Sequence, residues 1–448
     1  MEKGKGGLKR EVALFGVIAL AAGSVIGGGP FALAGPAAGL AGPAVWLGYI
    51  VIGLPLVAVA LGYAHVASAM PLEGGSYYYP SRIYSPFWGF LSGWAIWLAY
   101  ITPVALTAIV FTDHLGTVAP GIPKPLLMYG FIAIFYVLNV LGIKISSIAQ
   151  IIMFVVLVAG ILIFSFWGLP SIRSEYFSPM QPFGFSGTVK AAALLFFPYV
   201  GFTIAAELGE EVKNPSRNIP WGMTIAMLLC MLVYVFMSVV ASGNLIWSAQ
   251  AKSSTAIYDA AKVFMPELAA GLFLIIVVMA VATSQNAFQI SASRVALTMG
   301  RDRAVPERLS SLNPRFGTPI WALTISVLIA LIFILSEKGL VFIAYTSNVN
   351  WLFSFVVVLF AAIFMRRRKP ELYEKAHFKF GGAWHYIVPL IGVAVSIFFI
   401  ALQEPMALLW TAVWIVIGIG VYFIRKNQLA REGVKLEDLL RAMPKEIE

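Results

Sequence analysis

The stretch Ser24–Phe31, which reads Ser-Val-Ile-Gly-Gly-Gly-Pro-Phe, decides how this chain folds. It interrupts an apolar run, Val12–Leu40, that otherwise has the composition of a membrane-spanning helix. Inside a helix each glycine costs about 1 kcal/mol relative to alanine and proline costs about 3 kcal/mol, so this stretch predicts a break. Bare backbone is tolerated at membrane depth only inside protein or beside a wet cavity, and the break therefore predicts a functional site.

The residues after the break indicate what the site could hold. Pro30 suits the first position of a new helical segment. The amides of Gly28 and Gly29 are then expected to be unpaired and to face the gap, where the positive end of the half-helix favours an anionic group. Broken helices with exposed termini near the middle of the membrane are typical of secondary transporters.

The composition is that of a polytopic membrane protein. Of the 448 residues, 60% are hydrophobic and only 12% are charged, whereas soluble domains carry about 25% charged residues. A span needs about 20 mostly apolar residues, and twelve segments meet this requirement. The predicted spans are residues 12–40 (broken), 43–65, 86–112, 126–143, 146–168, 191–211, 221–243, 267–293, 320–336, 340–365, 386–403 and 406–424.

The distribution of basic residues predicts the orientation. With twelve spans, both termini lie on one side, and that side carries 24 of the 31 Lys and Arg residues. Six lie on the other side, and Arg294 stands at the inner end of the eighth span. The positive-inside rule then places both termini in the cytoplasm of a cell-membrane protein. This also accounts for the net charge of +10 without nucleic acid as a partner.

A second interruption lies in the sixth span, where Pro198 and Gly201 fall near its middle. Corresponding breaks five spans apart predict a five-plus-five inverted repeat with a site between the halves. The fold class expected is an all-α membrane protein with two additional C-terminal helices. The predicted divisions are the N-terminus (1–11), the repeats (12–168 and 191–365), the last two helices (386–424) and the tail (425–448).

Five stretches, including the one around the first break, resemble a known family. Gly23–Phe31, Pro71–Tyr77, Pro86–Trp94, Glu210–Pro220 and Ser293–Pro319 are similar to motifs of the amino acid–polyamine–organocation family of permeases. The motifs occur in the family's order, and the resemblance covers residues 11 to about 370. It implies the leucine-transporter fold and amino acid transport.

The resemblance also implies how a substrate is held. The α-carboxylate would take the amides of Gly28 and Gly29, and the α-amino group would meet carbonyls near Val25, Phe197 and Val200. The Phe197 ring would be an outer gate. Three further aromatic residues would bound the side-chain pocket, with core packing or lipid contact as the alternative for each. The complete predicted substrate site is Val25, Ile26, Gly27, Gly28, Gly29, Trp97, Tyr100, Phe197, Val200, Gly201 and Phe288.

Two groups are candidates for ion coupling. Glu207 is the one acidic or basic residue well inside a predicted span, and such residues commonly mark function. It is interpreted either as a proton carrier or as a carboxylate that is hydrated from the cytoplasm or paired with a loop arginine. Thr283 and Ser284, with the carbonyls of Gly23 and Ile26, resemble the sodium site of the leucine-transporter fold, and hard cations prefer oxygen ligands.

Together these features predict a secondary active transporter for neutral amino acids, working by alternating access in symport with H⁺ or Na⁺. Exchange of an amino acid against an amine is the alternative. The fifth span has no lysine or arginine that could replace the sodium ion, so sodium, a proton held elsewhere and uncoupled transport all stay open. Scattered histidines predict no enzyme, metal centre or cofactor, and the expected partners are a small amino acid and the bilayer.

Overall fold

The computed structural model describes residues 12–71, 74–141, 143–207 and 212–443, without the side chains of Leu20, Glu207 and residues 143–152. The predicted N-terminal segment 1–11 lies outside these ranges, as do the last residues of the tail. The described chain is helical, and its β-contact is one isolated bridge between Val12 and Val212. The helices are α1 Leu14–Val25, α2 Gly29–Ala41, α3 Val45–Ala69, α4 Gly75–Ile83, α5 Pro86–Gly116, α6 Lys124–Leu141, α7 Ile143–Gly168, α8 Gly184–Leu194, α9 Ile204–Glu207, α10 Pro215–Asn244, α11 Trp247–Gln250, α12 Ala256–Phe264, α13 Glu267–Arg301, α14 Ile320–Leu335, α15 Leu340–Arg368, α16 Pro370–Lys375, α17 Trp384–Ala401, α18 Pro405–Arg431 and α19 Leu436–Arg441.

Each predicted span coincides with a helix or a broken pair of helices. Within the described ranges, nine helical stretches are long and apolar enough to cross a membrane, or ten when the bent pair α8 and α9 is taken as one span. In this count α2 and α3 form a single stretch, and α1 and α14 are shorter apolar helices. The chain is therefore an all-helical, multi-span membrane protein, and its division into two inverted repeats stays a prediction.

Both predicted breaks are present. The first helix stops at Val25, and α2 begins at Gly29 with Pro30 in its first turn. The sixth span divides into α8, a short 3₁₀ turn at Phe197–Tyr199, and α9, with a bend of 41°. Glycine and proline therefore interrupt both helices where the sequence predicts, because their effect on backbone geometry is local.

The connections that the predicted spans leave at 169–190 and 244–266 are partly helical. The helix α8 already begins at Gly184, and α11 and α12 lie within the second segment. The reason is visible in α12, where Ile257, Ala260 and Ala261 recur at helical spacing and are buried. A short amphipathic helix is too brief to be recognised as a span.

The centre of the bundle contains α5 and α15. In α5, 89% of the most apolar stretch is buried, against 22% in α6 and in α18, which lie at the periphery. Large apolar side chains on the outer helices are exposed, including Leu232 (65%) and Val416 (66%). Such a surface suits contact with lipid tails, and the buried centre is where the two breaks lie.

Candidate functional site

The two breaks contact each other in the buried centre. A methyl group on Gly29 would lie 3.1 Å from the Cα of Pro198 and 3.2 Å from the Phe197 ring. From the opposite direction, a methyl group on Gly201 would lie 3.2 Å from the carbonyl of Ser24. Gly201 has φ +112°, a conformation that only glycine adopts readily. The structure therefore brings the two interrupted segments together, and the substrate role of these residues stays a prediction.

A tyrosine from α10 joins the breaks. The hydroxyl of Tyr234 lies 2.7 Å from the Val25 carbonyl oxygen and 2.9 Å from the Pro198 carbonyl oxygen. It can share its single proton between one acceptor on each break, and its side chain is fully buried. The neighbouring Tyr199 hydroxyl donates to the carbonyl of Tyr49 at 2.9 Å. The role of Tyr234 was not predicted from the sequence, because a tyrosine inside an apolar span carries no distinguishing pattern.

The helix α13 supplies the groups that face the first break. Ser284 Oγ accepts a hydrogen bond from the Gly28 amide at 3.3 Å. A methyl group on Gly27 would lie only 1.4 Å from the same oxygen, so glycine is required for this approach. The Thr107 hydroxyl donates to the side-chain oxygen of Gln285 beside the break. The prediction that the Gly28 amide is unpaired is therefore wrong, because a side chain from a distant helix caps it.

Two of the carbonyls predicted to receive the α-amino group already accept hydrogen bonds. The Val25 carbonyl accepts from Gly27 N at 2.8 Å as well as from Tyr234. The Phe197 carbonyl accepts from Val200 N at 3.1 Å, and Val200 then continues in extended backbone. Because a carbonyl oxygen has two lone pairs, the Phe197 oxygen can accept one further donor, whereas both lone pairs of the Val25 oxygen are already used.

The predicted aromatic residues fall into separate groups. Tyr100 and Phe288 are buried neighbours with ring centroids 6.4 Å apart. Phe197 lies over Gly29, as described above. Trp97 belongs to another cluster: its indole nitrogen donates to Ser326 Oγ at 2.9 Å, and its ring packs against Trp414. The interpretation of Trp97 as a pocket residue beside the breaks is therefore not supported by its contacts.

The residues of the predicted cation site lie along α1 and α13. Thr283 is fully buried and its hydroxyl donates to the Ala280 carbonyl at 2.7 Å, while Ser284 caps Gly28. Gly23 lies against the ring of Phe154 on α7. The other coupling candidate, the Glu207 side chain, is outside the described part of the structure. No cluster of three or more His, Cys, Asp or Glu side chains that could hold a metal occurs in the described ranges.

A family model described as amino acid permease matches residues 12–424. The chain belongs to this amino acid permease family. Its members are transporters, so the permease is not an enzyme, as the sequence analysis predicted.

Curated relatives cover nearly the whole permease. A branched-chain amino acid permease of Bacillus subtilis is 28% identical over 446 residues, with 94% of each chain covered. A methylthioribose transporter of the same organism is also 28% identical, over 94% of this chain and 95% of the relative. A serine/threonine exchanger of that organism is 24% identical, over 95% and 98%. These are the proteins that the permease is similar to.

The permease also has a buried ion pair, at the end of the bundle that carries Arg82, Arg303 and Arg425. Arg82 contacts Asp302 at 2.7 Å, with side-chain exposures of only 2% and 13%. The Tyr77 hydroxyl also donates to Asp302 at 2.7 Å. Burial raises the pKa of the Asp302 carboxyl, and Arg82 and Tyr77 oppose this effect. The pair joins α4 to the loop after α13.

The tail completes this cluster. Arg82 Nε donates to the Ala442 carbonyl at 3.2 Å, and Leu436 and Leu440 of α19 are fully buried. Lys426 on α18 pairs with Glu437 at 2.5 Å. The described part of the tail therefore docks on the bundle through α19 and Ala442.

The substitution Asp302→Asn is expected to destabilise the permease by about 3 kcal/mol, because removing one partner leaves a buried guanidinium without its counter-charge. Thermal unfolding of the purified protein measures this. Asp113→Asn is the matched control, since Asp113 pairs with the exposed Lys124 at 3.4 Å and such a surface pair contributes about 1 kcal/mol or less. Equal melting temperatures for the two variants would contradict a stabilising ion pair.

Proposed function

We propose that the permease moves a neutral amino acid across the cell membrane by alternating access, with both termini in the cytoplasm. The contact between the two breaks carries this proposal. It brings the start of α2 and the carbonyls of Val25 and Pro198 together in one buried region, an arrangement that supports a site for the two charged ends of a zwitterion. Motion of one half of the bundle against the other would open this region to each side in turn.

The side chains at the breaks support a neutral amino acid as the substrate. Ser24, Thr107, Phe197, Tyr234 and Ser284 are all uncharged, so among the described contacts no charge is available to pair with a charged substrate side chain. Burying such a charge without a partner would be costly. The similarity to a branched-chain permease and to a serine/threonine exchanger agrees with this class.

Counterflow in proteoliposomes tests the substrate class directly. Vesicles loaded with an unlabelled neutral amino acid should accumulate the same labelled compound, and labelled lysine and glutamate should not accumulate. Methylthioribose belongs in the panel because a relative of equal identity carries it. Accumulation of methylthioribose with silence across all neutral amino acids would reject the proposed class.

We propose first that amino acid transport is coupled to the movement of H⁺ or Na⁺. The Thr283 and Ser284 hydroxyls beside α1 offer oxygen ligands for sodium, and Glu207 is the candidate proton carrier. Replacement of sodium by choline should stop uptake if the hydroxyl pair holds the coupling ion.

Glu207→Gln should flatten the pH dependence of uptake if protons drive transport. Uptake that ignores both ions but requires internal substrate would instead establish the alternative, exchange, which the exchanger relative makes a specific candidate.

A further inference from the structure

A groove outside the two breaks lies between α5, α14, α18 and the loop that follows α13. Its volume is about 490 Å³, and its walls include Trp94, Trp97, Ile325, Val421 and Ile424. None of the residues at the breaks lines it. The indole nitrogens of both tryptophans are already bonded, to Trp414 O and Ser326 Oγ, so they present apolar ring surface.

The groove opens towards the lipid-facing surface. Ile424 on its rim is 57% exposed, and the adjacent Phe423 is 48% exposed. In a spanning helix such side chains face lipid tails rather than water. The apolar edge of the groove is therefore accessible to lipid, and the chemistry that matches it is a hydrocarbon chain.

One end of the groove carries a positive charge. Arg425 lines it, with Nε donating to the Arg303 carbonyl at 3.2 Å and Nη1 donating to Gln428 Oε1 at 2.7 Å. Neighbouring cations are neutralised: Lys426 pairs with Glu437, and Arg303 pairs with Glu307 and Glu432. Arg425 has no carboxylate partner in the part of the chain that the structure describes. The charged guanidinium of Arg425 therefore lies at the end of the apolar walls.

We propose that this groove binds one anionic phospholipid, with an acyl chain along the apolar walls and the headgroup phosphate at Arg425. A basic residue between spanning helices at the membrane surface favours an anionic headgroup. A zwitterionic lipid has no net negative charge to match Arg425, and inorganic phosphate has no chain to fill the walls. This inference concerns a site apart from the transport pathway, so it does not depend on the proposed substrate.

A second groove provides the control. It lies between α6 and α14, measures about 380 Å³, and is lined by Tyr129, Tyr136, Val327 and other uncharged residues. The same change, valine to phenylalanine, can be made in each groove, at Val421 and at Val327. Arg308, an exposed arginine that does not line the proposed groove, is the matched control for Arg425.

The test is quenching of tryptophan fluorescence by lipid with brominated chains, added to the purified full chain in detergent. Phosphatidylglycerol should quench saturably, because Trp94 and Trp97 form the groove wall. Arg425→Gln should raise the half-quenching concentration about fivefold, the equivalent of one lost headgroup contact. Val421→Phe should remove the saturable phase, and Arg308→Gln and Val327→Phe should behave as wild type.

Several outcomes would overturn the proposal. One is a wild-type titration for Arg425→Gln, and another is equal saturable quenching by brominated phosphatidylcholine. A third is competition by inorganic phosphate as strong as that by unbrominated phosphatidylglycerol, which would show an anion site without a lipid chain. Gel filtration checks that the variants are folded. If Val421→Phe fails this check, Arg425→Gln, which leaves the apolar residues of the walls in place, decides the question alone.

Discussion

Gly27→Ala is expected to lower amino acid uptake at least about 100-fold, because misplacing reacting or binding groups by about 1 Å can cost that much. The added methyl group would lie 1.4 Å from Ser284 Oγ and 2.8 Å from Ser284 Cβ. Rotation of the hydroxyl relieves the first clash but leaves the second. Either α13 or the break must then move, and the amides and carbonyls at the break lose their positions. Initial uptake rates in proteoliposomes at equal protein content give the result.

Two further variants separate this clash from a general effect of alanine. Gly271→Ala lies on the same helix as Ser284 and meets no atom within 4 Å, so it should transport normally. In Gly27→Ala with Ser284→Gly both clashing atoms are absent, and the next contact is an ordinary 3.6 Å to the Ala280 carbonyl. The double variant should match Ser284→Gly alone in melting temperature and uptake, because the two positions are coupled. If uptake by the double variant fell below that of Ser284→Gly by as large a factor as Gly27→Ala falls below wild type, the clash would not be the cause.

Tyr234→Phe is expected to reduce uptake about 10-fold or more, since leaving a buried acceptor without its donor costs about 1–3 kcal/mol. The hydroxyl contacts the Val25 and Pro198 carbonyls, one on each break. Without it the two segments lose the hydrogen bonds that join them through α10, although the ring still fills the same volume. Uptake and melting temperature should be measured together, because a larger effect on uptake than on stability would indicate a role at the site.

Tyr49→Phe provides a matched control. The rings of Tyr49 and Tyr234 lie 5.2 Å apart, and both side chains are buried. The Tyr49 hydroxyl has no hydrogen-bond partner among the described residues. Its removal should leave uptake within about twofold of wild type, since no buried partner is lost. If Tyr49→Phe and Tyr234→Phe were equally impaired, the bridging hydroxyl could not be the explanation.

Local chemistry explains which predictions from sequence were confirmed. Apolar runs of about 20 residues predict membrane spans whatever surrounds them, and each predicted span coincides with a helical element. Glycine and proline act on their own backbone and the preceding turn, so the breaks after Val25 and around Pro198 are present where expected. The family motifs indicated the amino acid permease family, which the match over residues 12–424 shows.

The predictions that were wrong involved partners far away in sequence. Gly28 and Ser284 are 256 positions apart, and no local pattern shows that the serine would cap an amide expected to be unpaired. Trp97 is only three positions from Tyr100, yet its ring packs against Trp414 of α18, and its place in the substrate pocket stays a prediction. The short helices α11 and α12 were missed because they depend on burial against neighbouring helices more than on their own length.

The sequence by itself determined that this is a many-span membrane protein with two interrupted helices, because hydrophobicity and backbone preference belong to each segment alone. Only the tertiary structure decided which groups meet at the interruptions. The Tyr234 hydroxyl, the Ser284 cap and the Arg82–Asp302 pair each join residues that are far apart in sequence. Such contacts exist only after the helices pack, since packing sets the distances between side chains that the order of residues leaves free.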